Sequence, residues 1–383
     1  MLGFSTYAAL LPELRDQWRL SNAEAGVIGG MFFAGYVATV SYWTALTDRV
    51  DARRVYLAGS VIAAVASAGF GLAAGGFASA VIFQVLLGVG IAATYMPGLR
   101  LLSDRISGTG QSRSIATYTS FFGIGTALSL AAAGFIASGA GWRMAFVVAA
   151  AGPAVSGALV FLLLKSLPVS APRRTTTSLF PFAAWAEVLR NRACAGYTVG
   201  YMAHCLELFG SRGWMVAFLA FSASLHADGG FPWQLAAIAA VINLLAVPAS
   251  ILGNELALRI GRRRWILLVM AGSGSCGLLV GASAPWHWAV VLALLVIYSM
   301  LVMAESGTLT AGLVAAAPAE LRGAAMGLYS LLGFGGGLLG PVVFGTALDL
   351  AGGSGNATAW VVAYSAIGAG CLAAPLVARV LRP

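Results

Sequence analysis

The sequence predicts an all-α integral membrane protein of twelve transmembrane helices in two six-helix halves, and three observations carry that prediction. Of the 383 residues, 60% are hydrophobic and 9% charged, whereas a soluble domain averages about 45–50% and about 25%; so few charges cannot cover a water-soluble surface of this size. The apolar residues fall in blocks of about 20 to 29, each able to cross a hydrocarbon layer of roughly 30 Å as a helix. The blocks lack the polar–apolar alternation of a membrane β-barrel, so helices are the remaining way to satisfy the backbone in lipid.

Taken in order, the full spans read 22–46, 53–75, 78–102, 115–139, 142–165, 194–222, 232–257, 264–284, 286–314, 322–348 and 357–380. The first of these opens on Ser21-Asn22-Ala23-Glu24, a hydroxyl three residues ahead of a glutamate, as in a capping box. Before it, Met1–Leu11 is apolar and is stopped by Pro12. It reads as the outer end of a truncated first helix, because eleven residues reach only about 16 Å; the full helix is expected to begin upstream. The interval 166–193 is the one long polar stretch and reads as a cytoplasmic linker between an N-terminal half, 1–165, and a C-terminal half, 194–383. The halves echo each other: the basic run Arg49 to Arg54 recurs at Arg259 to Arg264, and Arg113 at Arg322, the near-constant offset expected of a parallel internal repeat.

The net charge of +9 belongs to topology, with no nucleic-acid face, because the basic residues sit in short gaps between spans. Of the 22, 18 fall on one set of alternating loops, Arg15, Arg19 and Arg143 on the other, and Arg212 inside a span. That split predicts a multi-pass protein of a bacterial inner membrane with cytoplasmic N- and C-termini. The cysteines, Cys194, Cys205, Cys276 and Cys371, all lie in apolar blocks without CxxC spacing, and read as small core residues with no metal or cofactor. Gly272-x-Gly274-x-x-Gly277 matches a dinucleotide-binding spacing but has no strand before it, so helix packing is the reading. Trp142, Trp286, Trp288 and Trp360, near span ends, read as interface anchors.

Between the second and third helices runs Asp48-Arg49-Val50-Asp51-Ala52-Arg53-Arg54. It resembles the signature loop of the major facilitator superfamily, Gly-x-x-x-Asp-Arg-x-Gly-x-Arg-Arg, matching at Asp48, Arg49, Arg53 and Arg54. Thr44 and Asp51 stand where the family has glycine. The counterpart Leu258-Arg259-Ile260-Gly261-Arg262-Arg263-Arg264 keeps the arginines without the acid. The resemblance implies a two-half secondary transporter working by alternating access. It further implies a cytoplasmic latch in which Asp48 faces the N-terminus of the eleventh helix at Arg322–Met326 and Arg53 pairs with Asp104. In the fourth helix Gln84 takes the position where many members carry an arginine linked to proton coupling. The fifth helix lacks the Gly-Pro pair typical of drug antiporters, and Gly340-Pro341 instead lies in the eleventh.

Charged residues inside spans are costly and mark a cavity or a partner. Helix seven carries His204, Glu207 and Arg212. His204 and Glu207 are three apart and so placed to pair, and the glycines flanking Arg212 at Gly210 and Gly213 suggest a helix break. Arg212 either reaches Glu207 or extends to the outer interface beside Trp214. Glu305 lies in helix ten, too short a side chain to reach the interface, and a buried acid without a constant cation takes up and releases a proton in the working range. Glu255 and Arg259 are spaced for an i,i+4 ion pair. The expected function is therefore proton-coupled symport of a small organic solute by a monomer, with His204, Glu207, Arg212, Glu305 and Gln84 as substrate and proton groups. Antiport exporting drugs or metabolites is the alternative, and a transport-dead sensor or scaffold a more distant one. An enzyme is not expected, since His204, His226 and His287 form no catalytic constellation. The chain also has no Gly-x-x-x-x-Gly-Lys-Ser/Thr loop for nucleotide-driven pumping.

Overall fold

The computed structural model describes residues 1–106, 109–167, 181–227 and 230–380, with backbone alone at 109–113, 115–117, 119–120 and 375–380. Every regular element among them is helical. Among the described residues, nine stretches are long and apolar enough to cross a membrane. One of these, Phe121–Leu163, has 43 residues, twice the length of a span, and contains the non-helical Gly141 (φ 79°). Contacts group Met1–Leu10 with Met31–Phe180 in one unit, and Leu11–Gly30 with Pro181–Pro383 in another.

The chain begins with α1 (Thr6–Trp18), which contains Pro12. Pro12 therefore does not end the helix as the sequence suggested: a proline removes one intrahelical bond, and the neighbouring bonds carry the helix on. Next, α2 (Asn22–Leu46) starts where predicted. Ser21 Oγ accepts from the Glu24 amide at 3.1 Å, and Glu24 Oε2 accepts from the Ser21 amide at 2.9 Å, which is the reciprocal capping box.

In the first unit α3 (Ala52–Ala73), α4 (Phe77–Ser103), α5 (Thr109–Ala149) and α6 (Ala151–Leu163) complete the bundle. A side chain at Gly88 of α4 would strike the Phe32 carbonyl of α2, so the glycine sets how closely these helices approach. Phe70 and Phe146 stack at 3.9 Å between centroids, and Trp142 meets both edge-on. Trp142 is thus a core residue instead of an interface anchor. Asp51, the residue in a family glycine position, caps α3: its carboxylate accepts from the Arg53 amide at 3.0 Å and from the Ser166 hydroxyl at 2.6 Å. Burial pushes the Asp51 carboxyl up. The hydrogen bonds from Ser166 and Arg53 and the nearby Arg105 charge outweigh it and hold the group below its ordinary value. Its charged form therefore stabilises the fold above the ordinary carboxylate range, and that stabilisation is lost as pH falls through the lowered value. Asp51→Ala is expected to cost about 1 kcal/mol at pH 7, the usual worth of such a cap. The gap to the unmodified protein should close in acid, and thermal unfolding in detergent at both pH values checks it; an equal gap at both refutes it.

In the second unit α7 (Phe182–Arg190), a short helix within the predicted linker, packs Val188 into the core beside α8 (Arg192–Ser224). The unit continues with α9 (Leu235–Ile260), α10 (Arg262–Ala282), α11 (Trp288–Ala304), α12 (Ser306–Ala316), α13 (Arg322–Leu350) and α14 (Ala357–Val380). The predicted break at Gly210–Gly213 does not occur, since α8 is continuous. Gly210 instead meets Gly340 of α13, where added side chains would strike backbone. Gly274 likewise faces Gly368 of α14, the packing role read from its motif. Trp214 and Trp360 are fully buried and gather with Phe218 and Phe344; Trp360, too, is core and no interface anchor. At the start of α2, Asp349 accepts from the Ala23 amide at 2.8 Å and from Asn22 Nδ2 at 2.7 Å. This is an acid at a helix N-terminus that the sequence reading did not single out.

Candidate functional site

The polar centre of the second unit is assembled from α8, the α11–α12 junction, α10 and α14. His204 and Glu207 lie on α8, and both are buried. Glu305 stands where α11 ends and α12 begins, so the discontinuity expected in helix seven is found in helix ten. Two contacts accompany it. The Trp265 indole N–H donates to the Ala304 carbonyl at 3.0 Å, and Gly253 of α9 lies so close to that carbonyl that a side chain there would strike it.

His204 Nδ1 and Glu305 Oε1 are 2.9 Å apart, with side chains 1% and 0% exposed. The expected pairing of His204 with Glu207 is therefore corrected: the partner of His204 comes from another helix. Glu207 accepts instead from the Ser273 hydroxyl of α10 at 2.9 Å. The proton of the His204–Glu305 bond can reside on either atom, and the second carboxylate oxygen, Glu305 Oε2, has no hydrogen-bond partner among the described residues. Uncompensated charge in such an interior is expensive, so the centre is stable only with protons, or another cation, in numbers that offset its acids. Tyr201 stacks on His204 at 5.6 Å and on Tyr329 at 3.8 Å, which fixes the imidazole plane.

Cys371 of α14 joins this group. Ligand atoms of Glu207, Glu305 and Cys371 all lie within 4.8 Å of one another, a spacing that connects a residue read as plain core to both acids. Nothing in the chain around Cys371 points to it beyond its position in the last span. The three supply two carboxylates and a thiol, donors that zinc-type ions accept.

Of the remaining predicted groups, Arg212 lies within electrostatic range of His204 and Cys205. Arg212 is half-buried on α8 and makes no ion pair or hydrogen bond with Glu207. It lies five residues beyond Glu207, about 140° around the helix, and so on another face. Gln84 belongs to the first unit, where it is buried on α4 with its Oε1 unpartnered among the described residues. Glu255 and Arg259 are both exposed, and they are not among the ion pairs of the described residues.

The signature loop is built differently from the predicted pairing. Arg53 does not meet Asp104. Its guanidinium donates to the Phe161 carbonyl at 2.7 Å and lies 5.1 Å from the Phe161 ring, because the start of α3 faces the end of α6. Arg100 takes its place, bound to Asp48 at 2.6 Å and to Asp104 at 3.4 Å. Both contacts are substantially exposed, and such pairs contribute less than about 1 kcal/mol each. Arg49 and Arg54 stand in the same loop and helix start; Arg113 lies outside the described side chains.

The model of the Major Facilitator Superfamily matches residues 1–341. The niacin transporter NiaP of Acinetobacter baylyi (strain ATCC 33305 / BD413 / ADP1) is 26% identical over 165 residues, 43% of this chain and 36% of that protein. Multidrug resistance protein 2 of Bacillus subtilis (strain 168) is 25% identical over 272 residues, 70% of this chain and 66% of that protein. The chain thus spans about a third and just under two thirds of the lengths of these curated relatives. Among solved structures, a mutant of the nucleoside transporter NupG matches with a TM-score of 0.75 at 16% identity, covering 100% of this chain and 98% of that one. A bacterial homologue of the human lysosomal transporter Spinster matches with a TM-score of 0.73 at 16% identity, covering 99% and 92%. An all-helical membrane fold shared with transporters over its whole length, and a family model matched over most of it, establish that the chain belongs to the Major Facilitator Superfamily of membrane transporters.

Proposed function

We propose that this transporter moves a small organic solute by proton-coupled symport, with His204, Glu207 and Glu305 as the coupling centre and Arg212 and Gln84 as polar groups available to the solute. The carrying observation is the fully buried Glu305, bonded through one oxygen to His204 and, among the described residues, unpartnered at the other. A group of this kind changes proton occupancy when its surroundings rehydrate, which is what gradient-driven carriage requires. The coupling ion is the proton, the working unit is a monomer, and the membrane is the bacterial inner membrane with both termini in the cytoplasm. Similarity to transporters named for niacin and for nucleosides supports a small organic solute. The resemblance to a multidrug resistance protein over 70% of this chain favours antiport as the second reading.

The test begins with a thermal-shift screen of purified protein against metabolites and drugs, because a ligand of the folded state raises its apparent stability. The ligand found is then followed in proteoliposomes under imposed pH gradients. Symport is expected to accumulate solute when the outside is acid, and antiport when the inside is acid. Equal uptake under both gradients and under none would exclude proton coupling.

A further inference from the structure

Two carboxylates and a thiol converge in the second unit from separate helical segments: Glu207 on α8, Glu305 at the α11–α12 junction and Cys371 on α14, all buried. Their ligand atoms lie within 4.8 Å of one another. Three atoms so placed share a point no farther than about 2.8 Å (4.8 Å/√3) from each, and zinc lies about 2.0–2.3 Å from carboxylate oxygen and thiolate sulfur. Side-chain rotation can close the remaining gap of about half an ångström per ligand.

The surrounding contacts are those that steady a ligating carboxylate. Ser273 donates to Glu207 Oε2 at 2.9 Å, and Glu305 Oε1 is bonded to His204 at 2.9 Å, so each acid is held by one oxygen. The other oxygen of Glu305, Oε2, is buried and has no hydrogen-bond partner among the described residues. Glu207 Oε1 lies toward α14, where a side chain added at Gly368, one turn before Cys371, would come within 3.7 Å of it. The Cys371 thiol lies against the same carboxylate. Uncompensated carboxylates in such an interior are expensive, and a dication neutralises both. The donor set also narrows the ion. A thiolate selects a borderline or soft ion, and three protein ligands with one open position match a tetrahedral zinc site. Calcium takes about six to eight oxygens and magnesium an octahedron of them, which two carboxylates and a thiol do not provide.

We propose that Glu207, Glu305 and Cys371 bind one divalent cation of the zinc type. The proposal goes beyond the symport reading, because it requires these groups to be together and does not require any of them to carry the coupling proton. The ion ties α8 and α14 to the α11–α12 junction and so stabilises the folded chain.

The test is a cobalt(II) titration of the full chain, stripped with chelator and carried on an affinity tag free of histidine and cysteine, each addition followed until the absorbance is constant. One equivalent is expected to give a thiolate-to-cobalt charge-transfer band that zinc bleaches and a large excess of magnesium or calcium does not. The band should vanish in Cys371→Ser and survive in Cys205→Ser and Cys276→Ser, which alter the other buried cysteines nearest these helices. Glu207→Gln and Glu305→Gln should each weaken cobalt binding at least about tenfold, the least that loss of even an outer-shell partner costs. Zinc should raise the tryptophan-fluorescence unfolding midpoint of the unmodified protein and leave that of Glu305→Gln unchanged, a reading that stands whether or not Cys371→Ser folds. No charge-transfer band, a band that survives Cys371→Ser, bleaching by magnesium, or undiminished affinity in either glutamine variant overturns the proposal. Transport enters none of these measurements, so failure of the metal site and failure of proton coupling are told apart.

Discussion

Glu305→Gln is expected to abolish proton-driven accumulation while leaving solute exchange measurable. Glutamine keeps the size of the side chain and an oxygen toward His204, so the α11–α12 junction and its Trp265–Ala304 bond should survive. What it removes is a titratable proton from the centre. A carrier that needs that proton to complete a downhill cycle then still exchanges loaded sites but no longer concentrates solute. Counterflow and gradient-driven uptake in the same proteoliposomes separate the two activities. If the Glu305→Gln protein still accumulates solute against its gradient, Glu305 is not the coupling acid; if both activities vanish while the thermal midpoint holds, its role is in binding.

Trp214→Ala should be the most destabilising single change in the second unit, costing about 3–5 kcal/mol as an aromatic-to-alanine core truncation. The side chain is fully buried, stacks on Phe344 at 5.5 Å and donates its indole N–H to the Pro341 carbonyl at 3.0 Å. Truncation opens a cavity at the α8–α13 contact and takes the donor from that carbonyl. Trp214→Phe loses the hydrogen bond but fills most of the space, so it should recover most of the stability. All four cysteines are buried, and their labelling by a thiol-reactive dye on heating reports unfolding directly. A midpoint for Trp214→Ala equal to that of the unmodified protein would show that the aromatic cluster contributes little.

The cost of membrane burial made much of this protein legible in its sequence. Long apolar blocks must become helices in lipid, so the span 22–46 could be placed, and its start followed from two residues whose hydrogen bonds are local, Ser21 and Glu24. The glycines at 272–277 could be assigned to helix packing because nothing local offered a phosphate site. The Asp48 loop identified the family for a similar reason: its pattern lies within a few residues of chain. Roles fixed by distant chain were not legible. The pairing of His204 with Glu207 was inferred from helical spacing, yet His204 meets a carboxylate 101 positions away, and Glu207 meets Ser273 and lies beside Cys371. Spacing along one helix states only which residues share a side. Which neighbouring helix that side meets, and at what depth, depends on close approaches such as Gly210 with Gly340 and Gly253 with Ala304, contacts between backbones far apart in sequence. For the same reason Arg53 lies against the end of α6 and Arg100 stands between Asp48 and Asp104. The sequence by itself determined the helices, their membrane setting and the family. Only the tertiary structure decided which buried charges share a proton, because electrostatic partners are set by the rotation and depth of packed helices, and no local interaction encodes either.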